Sequence, residues 1–166
     1  NPYSLQKYTS EQYGLLLGKN WDLPFISLRY FNPYGPRSYN PKNKFSAYSS
    51  VIGIFQDDIL NKKKLKITGD GSQARDFIYV KDLAVANVKA ALSDVKFDCF
   101  NVGYGQAHTI NEIAEMFNVP YEYIDLRKGE AEITLANIDK IRTLLDWEPS
   151  IKVSDYISEW TNSLNH

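Results

Sequence analysis

Leu28-Arg29-Tyr30-Phe31-Asn32-Pro33-Tyr34-Gly35-Pro36-Arg37 is the stretch that decides the fold, because a strand ends here in a turn rich in proline and glycine. Residues 24–31, Pro-Phe-Ile-Ser-Leu-Arg-Tyr-Phe, predict a strand. The residues before this run predict a helix, and helix-like and strand-like segments alternate after it. Such alternation indicates an α/β fold with parallel strands.

The remaining elements follow from the same patterns. Thr109 and Glu112 form a capping box ahead of an amphipathic helix, and Gly103-Tyr104-Gly105 forms a turn after a strand. The last helix carries an apolar side made of Val153, Tyr156, Ile157, Trp160 and Leu164. The other predicted elements are an apolar helix near 48–60, a strand at 65–68, a helix at 81–92, strands at 97–102 and near 121–125, and a helix near 136–146.

Composition narrows the class of protein. A chain of 166 residues that is 43% hydrophobic and 14% aromatic is large enough for one core, and its net charge is only −1. It has no signal-peptide pattern or long apolar run, and the Lys62-Lys63-Lys64 cluster is too short for a nucleic-acid patch. A single cysteine, Cys99, and two histidines argue against a disulfide framework and a zinc site. We therefore expect a cytoplasmic enzyme without metal, membrane or nucleic-acid partners, and a buried Cys99.

Tyr3 and Lys7 stand four residues apart, which places both side chains on one face of a helix. A phenol titrates near 10, so a phenolate that accepts a proton near neutral pH needs about 4 kcal/mol of differential stabilisation. A cation at about 5 Å supplies about 3 kcal/mol at an effective dielectric of about 20. The pair therefore suits oxidation of a sugar or alcohol hydroxyl with hydride transfer to a nicotinamide. Because the chain has 12 tyrosines, a chance pair on an exposed helix is the alternative.

Further motifs follow Tyr3 and Lys7 in a fixed order. The stretch 28–37 comes first, then Gly69-Asp70-Gly71-Ser72-Gln73-Ala74-Arg75-Asp76-Phe77, then Arg127-Lys128-Gly129-Glu130, and finally a tail at 136–149. Together they span nearly the whole chain. In this order they resemble the C-terminal half of an extended short-chain dehydrogenase/reductase. The pattern is most similar to that of the NAD-dependent UDP-hexose and UDP-N-acetylhexosamine 4-epimerases.

The resemblance implies an α/β fold made of the C-terminal part of a Rossmann-type parallel sheet and a smaller α/β substrate-binding lobe. Residues 1–35 would be the last part of the NAD-binding domain. Residues 36–166 would mainly form the sugar-nucleotide-binding lobe, with a strand and helix near 76–103 returning to the main sheet. The chain has no complete Gly-x-Gly-x-x-Gly. We therefore expect the N-terminal glycine-loop half to be absent, the isolated chain to be inactive, and the parent enzyme to be about twice as long and a homodimer.

The resemblance also implies roles for individual residues. Tyr3 and Lys7 would be catalytic and, with Phe31, would contact NAD. Arginine side chains suit a diphosphate because a guanidinium group offers paired hydrogen bonds to it. Structural alternatives stay open, since Arg75 can pair with Asp76, Arg127 with Asp125, and Asn32 can merely shape a turn. The residues implied to bind the UDP-sugar are Asn32, Ser50, Val51, Lys66, Thr68, Arg75, Arg127, Glu130 and Thr134.

Two of these positions bear on the substrate. Glu130 stands where the hexose epimerases carry aspartate. Its side chain is longer by one methylene, which changes the geometry of the implied hydrogen bond to the ribose. Thr134 matches a gatekeeper position beside the sugar C2 substituent. A tyrosine there restricts the family to glucose and galactose, whereas small residues admit an N-acetyl group. The resemblance therefore predicts that Thr134 tolerates N-acetylhexosamines as well as hexoses.

The implied reaction is reversible epimerisation at the sugar C4 through a 4-keto intermediate, with NAD as a bound prosthetic group. One alternative is a nucleotide-sugar 4,6-dehydratase or decarboxylase, which shares Tyr-x-x-x-Lys and the lobe. The Arg29-Tyr30-Phe31-Asn32 segment argues against it. Another alternative, of a different class, is a sugar-nucleotide-binding module without catalytic activity. A third is a fragment that binds nothing and exposes apolar surface.

Overall fold

A computed structural model describes residues 2–38, 50–126 and 129–164. The helices are α1 (Pro2–Asn20), α2 (Val51–Leu60), α3 (Val80–Leu92), α4 (Ile110–Phe117), α5 (Asp139–Leu145) and α6 (Val153–Ser163). The strands are β1 (Ile26–Tyr30), β2 (Pro33–Tyr34), β3 (Leu65–Thr68), β4 (Ala74–Asp76), β5 (Ile78–Tyr79), β6 (Asp98–Val102), β7 (Ala107–Thr109), β8 (Tyr121–Ile124) and β9 (Ile133–Thr134).

Parallel pairing dominates the sheets. β1 pairs with β6, β2 with β5 and β3 with β8, and all three pairs are parallel. β4 lies between β7 and β9, antiparallel to the first and parallel to the second. The predicted α/β fold with parallel strands is confirmed. In the described part of the chain, no helix is long and apolar enough to cross a membrane.

One hydrophobic core lies between the β1–β6 pair and helices α3 and α5. Phe100 and Val102 of β6 are fully or almost fully buried in it, together with Trp147. The Trp147 indole donates a 3.0 Å hydrogen bond to the carbonyl of Asp82 in α3. The buried Asp82 carboxylate in turn accepts two backbone N–H groups and a hydroxyl from Ser150 and Ile151. These bonds fasten the segment after α5 to α3.

A second core joins α2, α4 and α6 to β2 and β3. Phe117 meets Phe55 edge-on at 6.1 Å and Trp160 at 5.8 Å between ring centroids, a geometry that aromatic pairs favour. Tyr34 is completely buried, and its hydroxyl donates a 2.9 Å hydrogen bond to the carbonyl of Ile151. Burial raises the pKa of the Tyr34 phenol, so the group stays protonated as a donor. Tyr34 thereby connects the stretch at 28–37 to the start of α6.

Local signals in the sequence placed most helices correctly. The capping box is present, since the Thr109 hydroxyl accepts the Glu112 N–H while the Glu112 carboxylate accepts the Thr109 N–H. Three details differ from the predictions. α5 begins at Asp139 rather than near 136, Leu164 lies beyond α6 and is 44% exposed, and Cys99 is only half-buried. The division of the chain at residue 35 remains a prediction.

Candidate functional site

The α1 helix presents Tyr3 and Lys7 together, as their spacing predicted. The Lys7 Nζ atom lies 5.5 Å from the centroid of the Tyr3 ring, and the tyrosine is 44% exposed. The ammonium lies over the ring, in a cation–π arrangement, so the two side chains share one face of the helix. This arrangement fits a proton-accepting tyrosine with a lysine beside it.

An ion pair that we did not predict, between the buried Glu11 and the half-exposed Arg29, attaches α1 to β1. Glu11, whose side chain is only 6% exposed, accepts hydrogen bonds from Arg29 at 2.5 and 2.8 Å and from Ser27 at 3.0 Å. The Arg29 hydrogen bonds lower the pKa of the Glu11 carboxyl, against a smaller opposing effect of burial. No local pattern indicated this pair, because Ser27 and Arg29 follow Glu11 by 16 and 18 positions.

Phe31 and Asn32 follow β1 directly. The backbone N–H of Phe31 extends the strand by donating to the Val102 carbonyl at 3.0 Å, and its ring packs on the first core. Asn32 adopts a φ of 26°, in a region that asparagine tolerates better than most residues. Its amide donates to the Asp76 carbonyl at 2.8 Å and to the Thr134 hydroxyl at 3.3 Å. Asn32 therefore links three separate segments of the chain.

Arg75 and Thr134 face each other in the β4–β9 pair, which brings two predicted binding residues together. Arg75 donates to the Ala74 carbonyl at 2.8 Å, and its Nη2 lies 3.7 Å from the Glu130 carboxylate. The carboxylate that pairs with Arg75 is thus Glu130 and not Asp76, its neighbour in sequence. Asn32, Arg75, Glu130 and Thr134 form one cluster, which we call the binding cluster.

Asp76 is a second buried carboxylate that the sequence interpretation missed. It has no exposed surface, and its Oδ1 accepts the Tyr104 N–H at 2.7 Å. Its Oδ2 accepts the N–H groups of Gly105 at 2.9 Å and Ala136 at 3.1 Å. The sequence indicated Asp76 only as an alternative ion-pair partner of Arg75. The available signal was the Gly103-Tyr104-Gly105 turn, which supplies two of the donors.

Other predicted binding residues lie apart from this cluster. Lys66 and Thr68 belong to β3, where the Thr68 carbonyl and hydroxyl accept hydrogen bonds from Gln73 at 2.8 and 3.1 Å. Val51 opens α2 and packs against the second core. The Ser50 hydroxyl is buried and has no hydrogen-bond partner in the described ranges. Arg127 lies outside the described residues.

A cavity of about 460 Å³ lies between α2 and α6. Its walls include Gln56, Tyr79, Tyr156 and Trp160, and none of the predicted site residues in the described chain. We locate the candidate site at the binding cluster and at the Tyr3–Lys7 pair. The cluster carries a guanidinium group that suits a diphosphate, and the pair suits proton transfer. In residues 2–38, 50–126 and 129–164, no group of three or more His, Cys, Asp or Glu side chains is arranged to hold a metal ion.

Comparisons with known proteins bear on this arrangement. Among curated proteins, the chain is 34% identical over 168 residues to a putative UDP-glucose 4-epimerase of Methanocaldococcus jannaschii, covering 98% of this chain and 52% of that protein. A solved UDP-N-acetylglucosamine 4-epimerase from Methanobrevibacter ruminantium M1, in complex with UDP-N-acetylmuramic acid, superposes with a TM-score of 0.86 at 34% identity. That match covers 99% of this chain and 54% of the other.

A solved UDP-glucose 4-epimerase of Thermus thermophilus in complex with NAD matches at 27% identity and a TM-score of 0.83, over 99% of this chain and 54% of that one. The chain thus spans about half the length of the relatives that it matches. The family model for NAD dependent epimerases and dehydratases matches residues 1–103. Because this match covers more than half of the chain, the chain belongs to the NAD dependent epimerase/dehydratase family.

Proposed function

We propose that the enzyme to which this chain belongs is a nucleotide-sugar 4-epimerase that uses NAD and acts on a UDP-hexose or UDP-N-acetylhexosamine. The observation that carries the proposal is the helical pair of Tyr3 and Lys7, with the lysine Nζ 5.5 Å from the tyrosine ring. A proton acceptor of this kind serves hydroxyl oxidation. The binding cluster supplies groups suited to a nucleotide sugar, and similar proteins include UDP-sugar 4-epimerases.

In the proposed mechanism, Tyr3 as phenolate takes the proton from the sugar O4, and the Lys7 ammonium stabilises the phenolate by its charge. Tyr3, Lys7 and Phe31 would hold NAD, whose nicotinamide would supply the reversible hydride chemistry at C4. Arg75, together with Arg127, holds the diphosphate while the 4-keto sugar turns. Tyr3 then gives its proton back to O4 on the other epimer, so the cycle causes no net redox change.

The binding cluster also supports the predicted substrate range. Thr134 is a small, half-buried side chain, and its hydroxyl accepts the Asn32 amide. Its modest size is compatible with an N-acetyl group at C2. The Arg75 side chain is 15% exposed, its Nη1 donates to the carbonyls of Ala74 and Glu132, and its Nη2 lies 3.7 Å from the Glu130 carboxylate. A diphosphate would compete with Glu130 for this guanidinium, since both offer anionic oxygens.

The decisive test is Tyr3→Phe in the complete enzyme with NAD. Turnover of UDP-galactose is expected to fall by about 10²-fold or more, the usual contribution of a general acid–base group. Affinity for UDP, measured by calorimetry, is expected to remain. Tyr8→Phe is the matched control, because Tyr8 lies on the same helix and is 59% exposed. Loss of UDP affinity in Tyr3→Phe with turnover retained would assign Tyr3 to binding instead.

Product analysis separates this proposal from its alternatives. A 4,6-dehydratase releases water and yields a 4-keto-6-deoxy sugar, whereas a 4-epimerase yields a sugar nucleotide of unchanged mass. A binding module without catalytic activity would bind UDP and leave the sugar unchanged. We also keep the predictions that the enzyme is cytoplasmic and forms a homodimer. Sedimentation of the complete protein tests the second.

A further inference from the structure

The Asp76 carboxylate holds together the strands that carry the binding cluster. Asp76 ends β4, directly after Arg75. Its Oδ2 binds the N–H of Ala136, two residues after Thr134. Its backbone carbonyl accepts the side-chain amide of Asn32. One buried residue therefore contacts the segments that carry three members of the cluster, Asn32, Arg75 and Thr134.

The same carboxylate also fixes the turn after β6. Gly103 approaches so closely that a Cβ atom there would lie 2.8 Å from the Asp76 Oδ2 and 2.5 Å from the Ala136 Cβ. Neither distance leaves room for a side chain, so the backbone of the turn rests directly against the carboxylate. Tyr104 and Gly105 then direct their N–H groups at its two oxygens.

An ionised carboxylate suits this position because it only accepts hydrogen bonds. Three backbone N–H groups converge on the two oxygens of Asp76. An asparagine has the same shape but would turn an NH₂ group toward at least one of these donors. One backbone N–H would lose its acceptor, and two donors would face each other in a buried site. The segments that Asp76 holds would then move apart.

We infer that Asp76 is a positioning residue for nucleotide-sugar binding: its buried carboxylate sets Arg75, Asn32 and Thr134 in the geometry that grips the substrate. The inference rests on the proposed function for the identity of the ligand. Asp76 itself does not touch the substrate, because its oxygens are buried and occupied by backbone donors. Its effect on binding passes through the three residues that it holds in place.

The chain supplies a matched control in Asp82. This carboxylate is also buried, at 6% exposure, and accepts the N–H and hydroxyl of Ser150 and the N–H of Ile151. Those contacts hold the segment after α5 and involve no member of the binding cluster. Asp82→Asn therefore reproduces the loss of a buried carboxylate without disturbing the cluster.

The test compares Asp76→Asn and Asp82→Asn in the complete enzyme with NAD bound. Both are expected to lower Tm. Only Asp76→Asn is expected to raise the KM for the UDP-sugar and the Kd for UDP, by about tenfold or more, the consequence of unsatisfied buried donors. Its kcat per folded site is expected to change less than its KM. An unchanged KM and Kd in Asp76→Asn, or an equal rise in Asp82→Asn, would overturn the inference.

Gly103→Ala provides a second route if Asp76→Asn does not fold. The added methyl presses on the same carboxylate and on Ala136 while keeping every hydrogen-bonding group, and we expect the same rise in the Kd for UDP. A folded Gly103→Ala with wild-type Kd would contradict the inference. A wild-type enzyme that binds UDP but does not epimerise would defeat the proposed function, and the UDP titrations would still decide the role of Asp76.

Discussion

The Tyr3–Lys7 region and the binding cluster are built in opposite ways. Tyr3 and Lys7 lie on an exposed part of α1, a helix whose buried residues within Pro2–Asn20 are Glu11 and Gly18. The binding cluster instead rests on a fully buried carboxylate and on contacts between strands. Within the described residues, the polar side-chain contacts between α1 and β1 are those of Glu11 with Ser27 and Arg29, whereas hydrogen bonds between several segments join the binding cluster.

This contrast indicates which substitutions should lower turnover and which should weaken substrate binding. In α1, the Glu11–Arg29 pair is the polar tie to β1, the strand that leads into Phe31 and Asn32. A change there should displace the catalytic face and spare the cluster. A change at Asp76 should do the reverse. Turnover and affinity can therefore be disturbed separately.

The largest expected effect comes from Glu11→Ala, which removes the tie between α1 and β1. The freed Arg29 is 47% exposed and can turn to water, so the complete enzyme should still fold. A displacement of Tyr3 by about 1 Å can cost roughly 10²-fold in kcat. We expect kcat to fall on this scale with the KM for the UDP-sugar unchanged, in steady-state assays.

Ser10→Ala is the control for this change, since Ser10 is exposed on α1 and its hydroxyl donates to the Gln6 carbonyl of the same helix. It should leave kcat at the wild-type value. A rise in KM with unchanged kcat in Glu11→Ala would contradict the separation of turnover from substrate affinity.

A smaller effect is expected from Thr134→Tyr, which tests whether residue 134 lies beside the sugar C2 substituent. The ring would fill the space assigned to the C2 substituent. The ratio of kcat/KM for UDP-N-acetylglucosamine to that for UDP-glucose should fall by about tenfold or more. Thr134→Ser, which keeps the hydroxyl that accepts the Asn32 amide, should leave the ratio near wild type. An unchanged ratio in Thr134→Tyr would show that this position does not face C2.

The smallest effect is the pH dependence of stability due to Glu11. Its carboxyl pKa is lowered in the folded protein, chiefly by the Arg29 hydrogen bond, from an ordinary value of 4.5. Its contribution is therefore fully present above about pH 4.5 and is lost as pH falls through the lowered folded-state pKa. Because Arg29 is half exposed, we expect about 1 kcal/mol. Denaturant unfolding between pH 3 and pH 6 should show a shallower acid loss in Glu11→Gln than in wild type, and identical slopes would contradict this.

The sequence predicted the elements where local chemistry is sufficient. The Thr109–Glu112 capping box and the spacing of Tyr3 and Lys7 are short-range patterns, and both formed as expected. The motifs also brought Asn32, Arg75 and Thr134 to one place through the family pattern. The start of α5 was misplaced: Ala136 lies in a segment held by Asp76, 60 positions away, and the Asn137 side chain accepts the N–H of Asp139, the first residue of the helix.

The buried acids escaped prediction for a physical reason. Asp and Glu are usually exposed, so a lone acidic residue in the sequence gives no reason to expect burial. The partners of Asp76 are backbone N–H groups, which every residue except proline carries, and they leave no trace in residue type. Glu11 has side-chain partners in Ser27 and Arg29, but its pairing depends on how α1 folds back on β1.

The hydrogen bond from Asn32 to Thr134 has a consequence for synthesis on the ribosome. Its two residues are 102 positions apart. At a synthesis rate of 5–20 residues per second, Asn32 waits roughly 5 to 20 s for its partner to be translated. Tyr34 waits longer still, because Ile151 lies 117 positions away. The proposed binding cluster therefore cannot form during early elongation, and nascent chains pass through an interval in which β1 is made but residue 134, the partner of Asn32, is not.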